Sequence, residues 1–165
     1  MASFNHAEHI RRQVTFLWGE GLTDMVVGKC LLGKMGVLAR RAHLAHTGGC
    51  GVFWKMAPTM DKLARAGHLV VGLTDLDDAP SPSELISTHF PRGYSRNFLL
   101  RVPVIMLEAW LLADTKGFAE YLQVEEALMP DKPETIRMPK ITIVDLARLS
   151  ANAETAADIA PPLMS

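Results

Sequence analysis

Three acidic residues follow segments that have the composition of buried β-strands. Glu20 comes closely after segment 13–18 (QVTFLW), which is β-branched and aromatic. Asp75 and Asp77 follow segment 68–74 (HLVVGLT), whose nearly continuous apolar run is typical of a strand covered on both faces of a parallel sheet. Open α/β sheets bind their ligands at the carboxyl ends of the strands. We therefore expect the three carboxylates to meet in one crevice.

The two aspartates are separated by a single residue, a spacing that suits a divalent metal ion. On an extended backbone alternate side chains point the same way, so Asp75 and Asp77 would face one side while Leu76 packs on the other. Two carboxylates held close repel each other unless a cation joins them, and Mg²⁺ commonly uses one or two carboxylates. The alternative is that these residues and Asp78 only solvate a turn. A calcium EF-hand is excluded, because Pro80 stands where that loop requires glycine.

The first acidic residue lies in a glycine turn that precedes a helix start. Gly19 and Gly21 flank Glu20 and allow the backbone to turn sharply and approach a ligand closely. Thr23 and Asp24 both suit the beginning of a helix. The amino terminus of that helix carries a partial positive charge, which favours phosphate. The turn therefore predicts a phosphate-binding neighbourhood around Glu20.

The composition is that of an ordinary globular protein. The chain has 165 residues, of which 48% are apolar and 21% charged, and its formal net charge is -1. This charge balance excludes a polybasic coat for nucleic acid or membrane. A protein with this overall charge can still bind phosphate through a local group of basic residues.

The amino-terminal segment and the cysteines both favour a cytoplasmic protein without a membrane partner. The first residues (MASFNHAEHIRR) lack the apolar core of a signal peptide. No apolar run approaches the roughly 20 residues that span a bilayer. Cys30 and Cys50 form no C-x-x-C pair, so neither a zinc ribbon nor a redox motif is predicted.

Strand and helix patterns alternate along the chain, and this alternation predicts the fold class. A capping box of Ser81, Pro82 and Glu84 indicates one helix start. We predict a three-layer α/β/α sandwich with a mainly parallel central sheet, formed as one domain by residues 1–150. Residues 151–165 are predicted to fray. The other predicted elements are strands at 36–46 and 98–106, helices at 52–66, 108–114, 116–123 and 141–150, and a Gly-rich loop at 48–51.

Three segments together resemble a known catalytic domain. They are 18–24 (WGEGLTD), 73–77 (LTDLD) and 108–114 (EAWLLAD). A glutamate after the first strand and a D-x-D after a later one resemble the Toprim domain of topoisomerases, bacterial primases and overcoming-lysogenization-defect (OLD) nucleases. The third segment is similar to that of small stand-alone bacterial Toprim-like proteins. The likeness spans about residues 13–114 and, more faintly, 133–140.

The resemblance implies a metal-dependent nuclease that cleaves DNA or RNA. Asp75 and Asp77 would bind Mg²⁺ or Mn²⁺, and Glu20 would bind metal or act as general acid/base. Asp24 matches an acidic position near the metal in nuclease relatives, and Glu108 would supply a ligand to a second ion. Two ions would stabilise the two oxygens of the displacement. The candidates for the phosphate-binding cation of these relatives are Arg92, Arg96 and Lys140.

Two other functions stay open at this point. The chain could be a non-catalytic Toprim-like subunit that binds nucleic acid and acts with an ATPase partner. It could also be a general α/β nucleotide-binding enzyme, although it lacks both G-x-G-x-x-G and the P-loop lysine signature. The resemblance further suggests a bacterial protein in phage defence and leaves a homodimer open.

Overall fold

The structure, a computed structural model, describes residues 14–34, 36 and 42–159. It consists of two units, each with its own core. The sheet unit comprises Met1–Thr74 and Ala79–Val102, and the helical unit comprises Asp75–Asp78 and Pro103–Ser165. Each unit is described by itself below.

A four-stranded sheet forms the centre of the sheet unit. Its strands are β1 (Thr15–Gly19), β2 (Ala42–His46), β3 (Leu69–Leu73) and β4 (Phe98–Arg101). They lie in the order β2-β1-β3-β4, and every neighbouring pair is parallel. The predicted α/β class with a mainly parallel sheet is therefore confirmed.

Helices pack on both faces of this sheet. Helix α1 (Leu22–Lys34) approaches one face so closely at Gly28 that a Cβ atom there would lie 2.7 Å from a methyl carbon of Leu17. Helix α2 (Cys50–Arg65) packs on the other face, where its Phe53 ring lies against Gly72 of β3. This arrangement is compatible with a three-layer sandwich. Helix α3 (Pro82–His89) also belongs to the described part of this unit.

One core cluster of the sheet unit lies between α2 and the sheet. Alternation along β3 and β4 sends every second side chain to this face. A Cβ on Gly72 would lie 2.9 Å from Phe98 and 3.0 Å from Phe53, so the two rings occupy the space that a side chain would need. The buried members of the cluster are Phe53, Met60, Ala64, Val70, Phe98 and Leu100.

The helical unit contains α4 (Glu108–Ala113), α5 (Thr115–Leu122), α6 (Pro139–Arg148) and α7 (Ala153–Ile159). Two short 3-10 turns lie between α5 and α6. The Asp114 side chain accepts a hydrogen bond from the N–H of Gly117 and thereby caps α5. The buried core residues are Leu112, Ala119, Leu122, Met129, Ile143, Leu146 and Ala147.

Several predicted elements have different ends in the structure. The Gly-rich loop is shorter than predicted, because α2 already begins at Cys50. The strand predicted to reach 106 ends at Arg101, before Pro103, which has no N–H to donate to a ladder. Helix α7 covers part of the tail that was predicted to fray. The predicted strand at 36–46 is observed from Ala42, and residues 37–41 lie outside the described part.

The N-cap predicted at Ser81 is present. Ser81 is the N-cap of α3, and its hydroxyl accepts a hydrogen bond from the N–H of Glu84 at 3.2 Å. Pro82 occupies the first helical turn, where a missing N–H costs little. Within the described residues, none of the helices combines the length and apolar character needed to cross a membrane.

Candidate functional site

The carboxyl ends of β1 and β3 form the crevice in which open α/β sheets bind ligands. From β1 the chain continues to β2 on one side, and from β3 it continues to β4 on the other, so the order reverses between these two neighbours. Glu20 is the first residue after β1, and Thr74 is the first after β3. The buried Thr74 hydroxyl donates a hydrogen bond to Oε1 of Glu20 at 2.5 Å. The structure thus holds the Glu20 carboxylate at the predicted crevice.

The glycine turn has a specific steric cause. The Asp24 side chain is buried and accepts a hydrogen bond from the N–H of Gly21 at 2.7 Å. A Cβ on Gly19 would lie 2.4 Å from the Cβ of Asp24, a distance that is too short for two carbon atoms. Glycine at position 19 therefore allows Asp24 to close the turn that carries Glu20. This contact gives Asp24 a structural role beside its predicted place near a metal.

The loop after β2 fixes the backbone of Glu20. The carbonyl of Glu20 accepts hydrogen bonds from the N–H groups of Gly48 at 2.9 Å and Gly49 at 3.1 Å. Both glycines have left-handed φ angles, 79° and 117°, which side chains disfavour. The neighbouring carbonyl of Gly19 accepts from the N–H of Thr47 at 2.9 Å. The two loops are therefore joined at the carboxyl edge of the sheet.

A cysteine that the sequence analysis left without a role lies near Glu20. A carboxylate oxygen of Glu20 and the Sγ of Cys50 are within 4.8 Å of each other. Cys50 begins α2, directly after the loop that follows β2. The sequence signal for Cys50 is its place just after the segment that forms β2, since sites collect at the carboxyl ends of strands. Thiolate suits softer metals, whereas the carboxylate oxygen suits Mg²⁺ or Mn²⁺.

The D-x-D segment belongs to the helical unit, where backbone hydrogen bonds fix it. Oδ1 of Asp75 accepts a hydrogen bond from the N–H of Leu107 at 2.9 Å, directly before α4. The N–H of Asp77 donates to the carbonyl of Ile105 at 3.0 Å. The φ angle of Asp77 is 48°, so the backbone is not extended there. The expectation that strand alternation orients both carboxylates is wrong, because β3 ends before this segment and a turn begins at Asp77.

Two residues with separate predicted roles form one ion pair. Nζ of Lys140 lies 3.3 Å from Oε1 of Glu108. The Glu108 side chain is only 11% exposed, whereas that of Lys140 is 70% exposed. The ammonium group therefore offsets the charge of a carboxylate that has lost most of its water. The predicted second-metal ligand and one candidate phosphate-binding cation thus contact each other.

The other two candidate cations lie at the far edge of the sheet from Glu20. Arg92 and Arg96 belong to the loop that precedes β4. Amino ends of parallel strands share one edge, while Glu20 follows the carboxyl end of β1. The two arginines are therefore separated from the crevice by the length of the strands. This position follows from the parallel pairing of β4 with β3, which joins residues that are distant in the sequence.

His89 stacks on Trp54 beside this far edge. The two ring centroids are 4.0 Å apart with an interplanar angle of 7°. Partial burial lowers the pKa of His89 below its ordinary 6.5, because desolvation disfavours the charged imidazole. The folded state therefore favours neutral His89. Its stabilising contribution is present above pH 6.5 and is lost as the pH falls through the lowered pKa.

Replacing Trp54 by leucine should raise the pKa of His89 towards 6.5. Leucine covers less of the imidazole, so water returns to it and the charged form costs less. Trp54→Phe is the matched control, because it preserves a stacked ring and should leave the pKa low. An NMR titration of the His89 ring protons measures this. An unchanged His89 pKa in Trp54→Leu would mean that other groups desolvate the imidazole.

Comparison of the chain with protein-family models, curated proteins and solved structures found no match.

Proposed function

We propose that this protein is a divalent-metal-dependent phosphoryl-transfer enzyme of the Toprim type, a nuclease that cleaves DNA or RNA phosphodiesters. One observation carries the proposal. The Glu20 carboxylate lies at the reversal of strand order between β1 and β3 and accepts a hydrogen bond from Thr74. A carboxylate held in this position, within a glycine turn, is suited to metal or acid/base chemistry.

The order of acidic residues along the chain supports the same function. Glu20 follows β1, and Asp75 is the next residue in the chain after Thr74, which follows β3. A Toprim domain has its glutamate and its D-x-D after strands in this order. The parallel sheet with helices on both faces is compatible with the three-layer Toprim architecture that we propose here.

The acidic side chains would have different roles in this reaction. Asp75 and Asp77 would bind Mg²⁺ or Mn²⁺, since hard divalent ions prefer carboxylate oxygen. The bound ion would supply charge stabilisation for the transferring phosphoryl group. Glu20 would accept or deliver a proton at its carboxylate, in an orientation set by the Thr74 hydroxyl. Glu108, already paired with Lys140, would have to exchange that partner in order to join a second ion.

The test is cleavage of a panel of single- and double-stranded DNA and RNA. Wild-type protein should cleave at least one substrate with Mg²⁺ or Mn²⁺ and none in EDTA. Glu20→Gln keeps the size of the side chain and an oxygen that accepts the Thr74 hydrogen bond. It should nevertheless cleave about 10²-fold more slowly or worse, because positioned acid/base groups contribute about 10²–10⁴-fold.

Asp78→Asn is the matched control, because it removes the same charge from an exposed neighbour of the D-x-D. It should cleave at a rate close to that of wild type. A wild-type protein that cleaves nothing under these conditions overturns the nuclease. If Mn²⁺ binds to wild type but not to Glu20→Gln, again without turnover, the non-catalytic subunit is the better description.

A further inference from the structure

An open groove of about 460 Å³ lies on the sheet unit, away from the Glu20 crevice. It runs between the second half of α2 and the turn that follows α3. Since α2 leads into the start of β3 and this turn leads towards β4, the groove lies near the amino edge of the sheet. Its walls include Pro58, Phe90, Pro91, Lys62 and Arg92.

The groove carries net positive charge. Among the described residues, Asp61 is the only acidic one that lines it. Asp61 forms an ion pair with Arg65 at 2.7 Å and accepts the Ser95 N–H at 2.6 Å. Lys62 and Arg92 are exposed and form no ion pair with any residue in the described ranges. Two cations that have no ion-pair partner among the described residues thus line one groove of a chain whose total charge is -1. This local charge favours a phosphate-bearing ligand.

The apolar wall of the groove is anchored to the core. The Phe90 ring lies 5.9 Å, centroid to centroid, from the ring of the buried Phe98, and 5.1 Å from that of Tyr94. His89, the residue before it, is held by the stack on Trp54. Rigid aromatic walls cost little conformational entropy when a flat ligand binds. A nucleobase is a flat apolar group of this kind, and bases stack on such side chains without regard to sequence.

We propose that this groove binds a nucleotide unit of single-stranded nucleic acid, with phosphate at Lys62 and Arg92 and the base against the Phe90 wall. Its volume lies within the range of about 300–1,000 Å³ of small-ligand pockets. A base must leave the duplex to reach such a wall, so single strands are the favoured form. The site holds its ligand through side chains alone and needs no metal. It is therefore independent of the proposed catalysis.

The test is binding of a fluorescently labelled oligothymidylate, followed by anisotropy in EDTA. Lys62→Gln with Arg92→Gln should weaken binding at least tenfold. The slope of log affinity against log salt should become shallower by about 0.7 for each lost phosphate contact. Lys29→Gln with Lys34→Gln is the matched control. It removes two exposed charges from α1, on the other face of the sheet, and should change affinity less than twofold.

Two further arms identify the ligand and separate this site from the crevice. An abasic oligonucleotide of equal length should bind several-fold more weakly than oligothymidylate, and a duplex should also bind more weakly. Because binding is measured in EDTA, where the proposed metal-dependent cleavage cannot occur, the readout reports this groove separately from catalysis at the crevice. Equal affinity of the Lys62/Arg92 variant and wild type, or of the abasic and normal strands, would overturn the proposal. If the wild-type protein binds oligothymidylate but cleaves no nucleic acid, that result contradicts the proposed catalysis and leaves the proposed groove site standing.

Discussion

Replacing Asp75 and Asp77 together by asparagine is expected to lower metal-dependent cleavage by about 10³-fold or more. A bound divalent ion stabilises transition-state charge by several kcal/mol, and each 1.36 kcal/mol corresponds to a tenfold change in rate. The affinity for Mn²⁺, measured by calorimetry or by its paramagnetic resonance signal, should fall in parallel. The two measurements together distinguish a lost metal site from a lost substrate contact.

Asparagine is the right substitution because it preserves the local structure. Its side-chain oxygen can still accept the hydrogen bond that Asp75 receives from Leu107. At position 77 the backbone φ angle is 48°, and asparagine tolerates this left-handed conformation better than most residues. Thermal unfolding of the double variant should therefore match wild type, and the loss of activity can be assigned to charge.

The control for this experiment removes two other exposed charges. Asp78→Asn combined with Asp131→Asn changes the net charge by the same amount and touches two exposed residues of the helical unit. We expect this control to cleave and to bind Mn²⁺ like wild type. Intact metal-dependent cleavage in the Asp75/Asp77 variant would remove both residues from the proposed site.

Replacing Phe53 by alanine should lower the free energy of unfolding of the sheet unit by about 3–5 kcal/mol. Phe53 is completely buried and packs against Gly72 of β3. Because Gly72 has no side chain, it cannot move into the space that the lost ring leaves, so a cavity stays open. Chemical denaturation followed by tryptophan fluorescence measures the change, and the thermal midpoint should fall by on the order of 10 °C.

Val52→Ala is the comparison for this substitution. Val52 precedes Phe53 in α2 but is 44% exposed, so its truncation should change stability by about 0.5 kcal/mol or less. A loss below about 1 kcal/mol in Phe53→Ala would show that the sheet and α2 repack around the missing ring. The close packing at Gly72 would then not limit relaxation of this core.

Local patterns predicted the parts of the fold that depend on neighbouring residues. The apolar run at β3 predicts a strand from its own composition, because a strand that is buried on both faces of a parallel sheet is continuously apolar. The N-cap at Ser81 is also local, because its hydrogen bond joins residues only three positions apart. The glycine turn at Glu20 is local as well, although its cause, the space taken by Asp24, becomes visible only in three dimensions.

Features that depend on distant residues could not be read from the sequence. The turn at Asp77 is held by the carbonyl of Ile105, 28 positions later, so strand alternation was the wrong guide there. Arg92 is a candidate phosphate-binding residue because it is basic, but the parallel pairing of β4 with β3 places the loop before β4 at the amino edge of the sheet. For Cys50 the strand-end rule gives only a position after β2, and its nearness to Glu20 follows from the pairing of β1 with β2.

The close approach of the Gly19 backbone to the Asp24 side chain means that these two positions can be substituted only together. Any larger residue at 19 would meet the Cβ of residue 24, so a methyl group can be added at the end of β1 only if one is removed from the first turn of α1. In a library randomised at both positions, the folded variants should therefore show correlated residues. Glycine at 19 should occur with a side chain such as aspartate at 24, and a larger residue at 19 should occur with glycine at 24. If only one of the two positions is randomised, most variants should fail to fold because of this clash, and they would be lost before their activity could be measured.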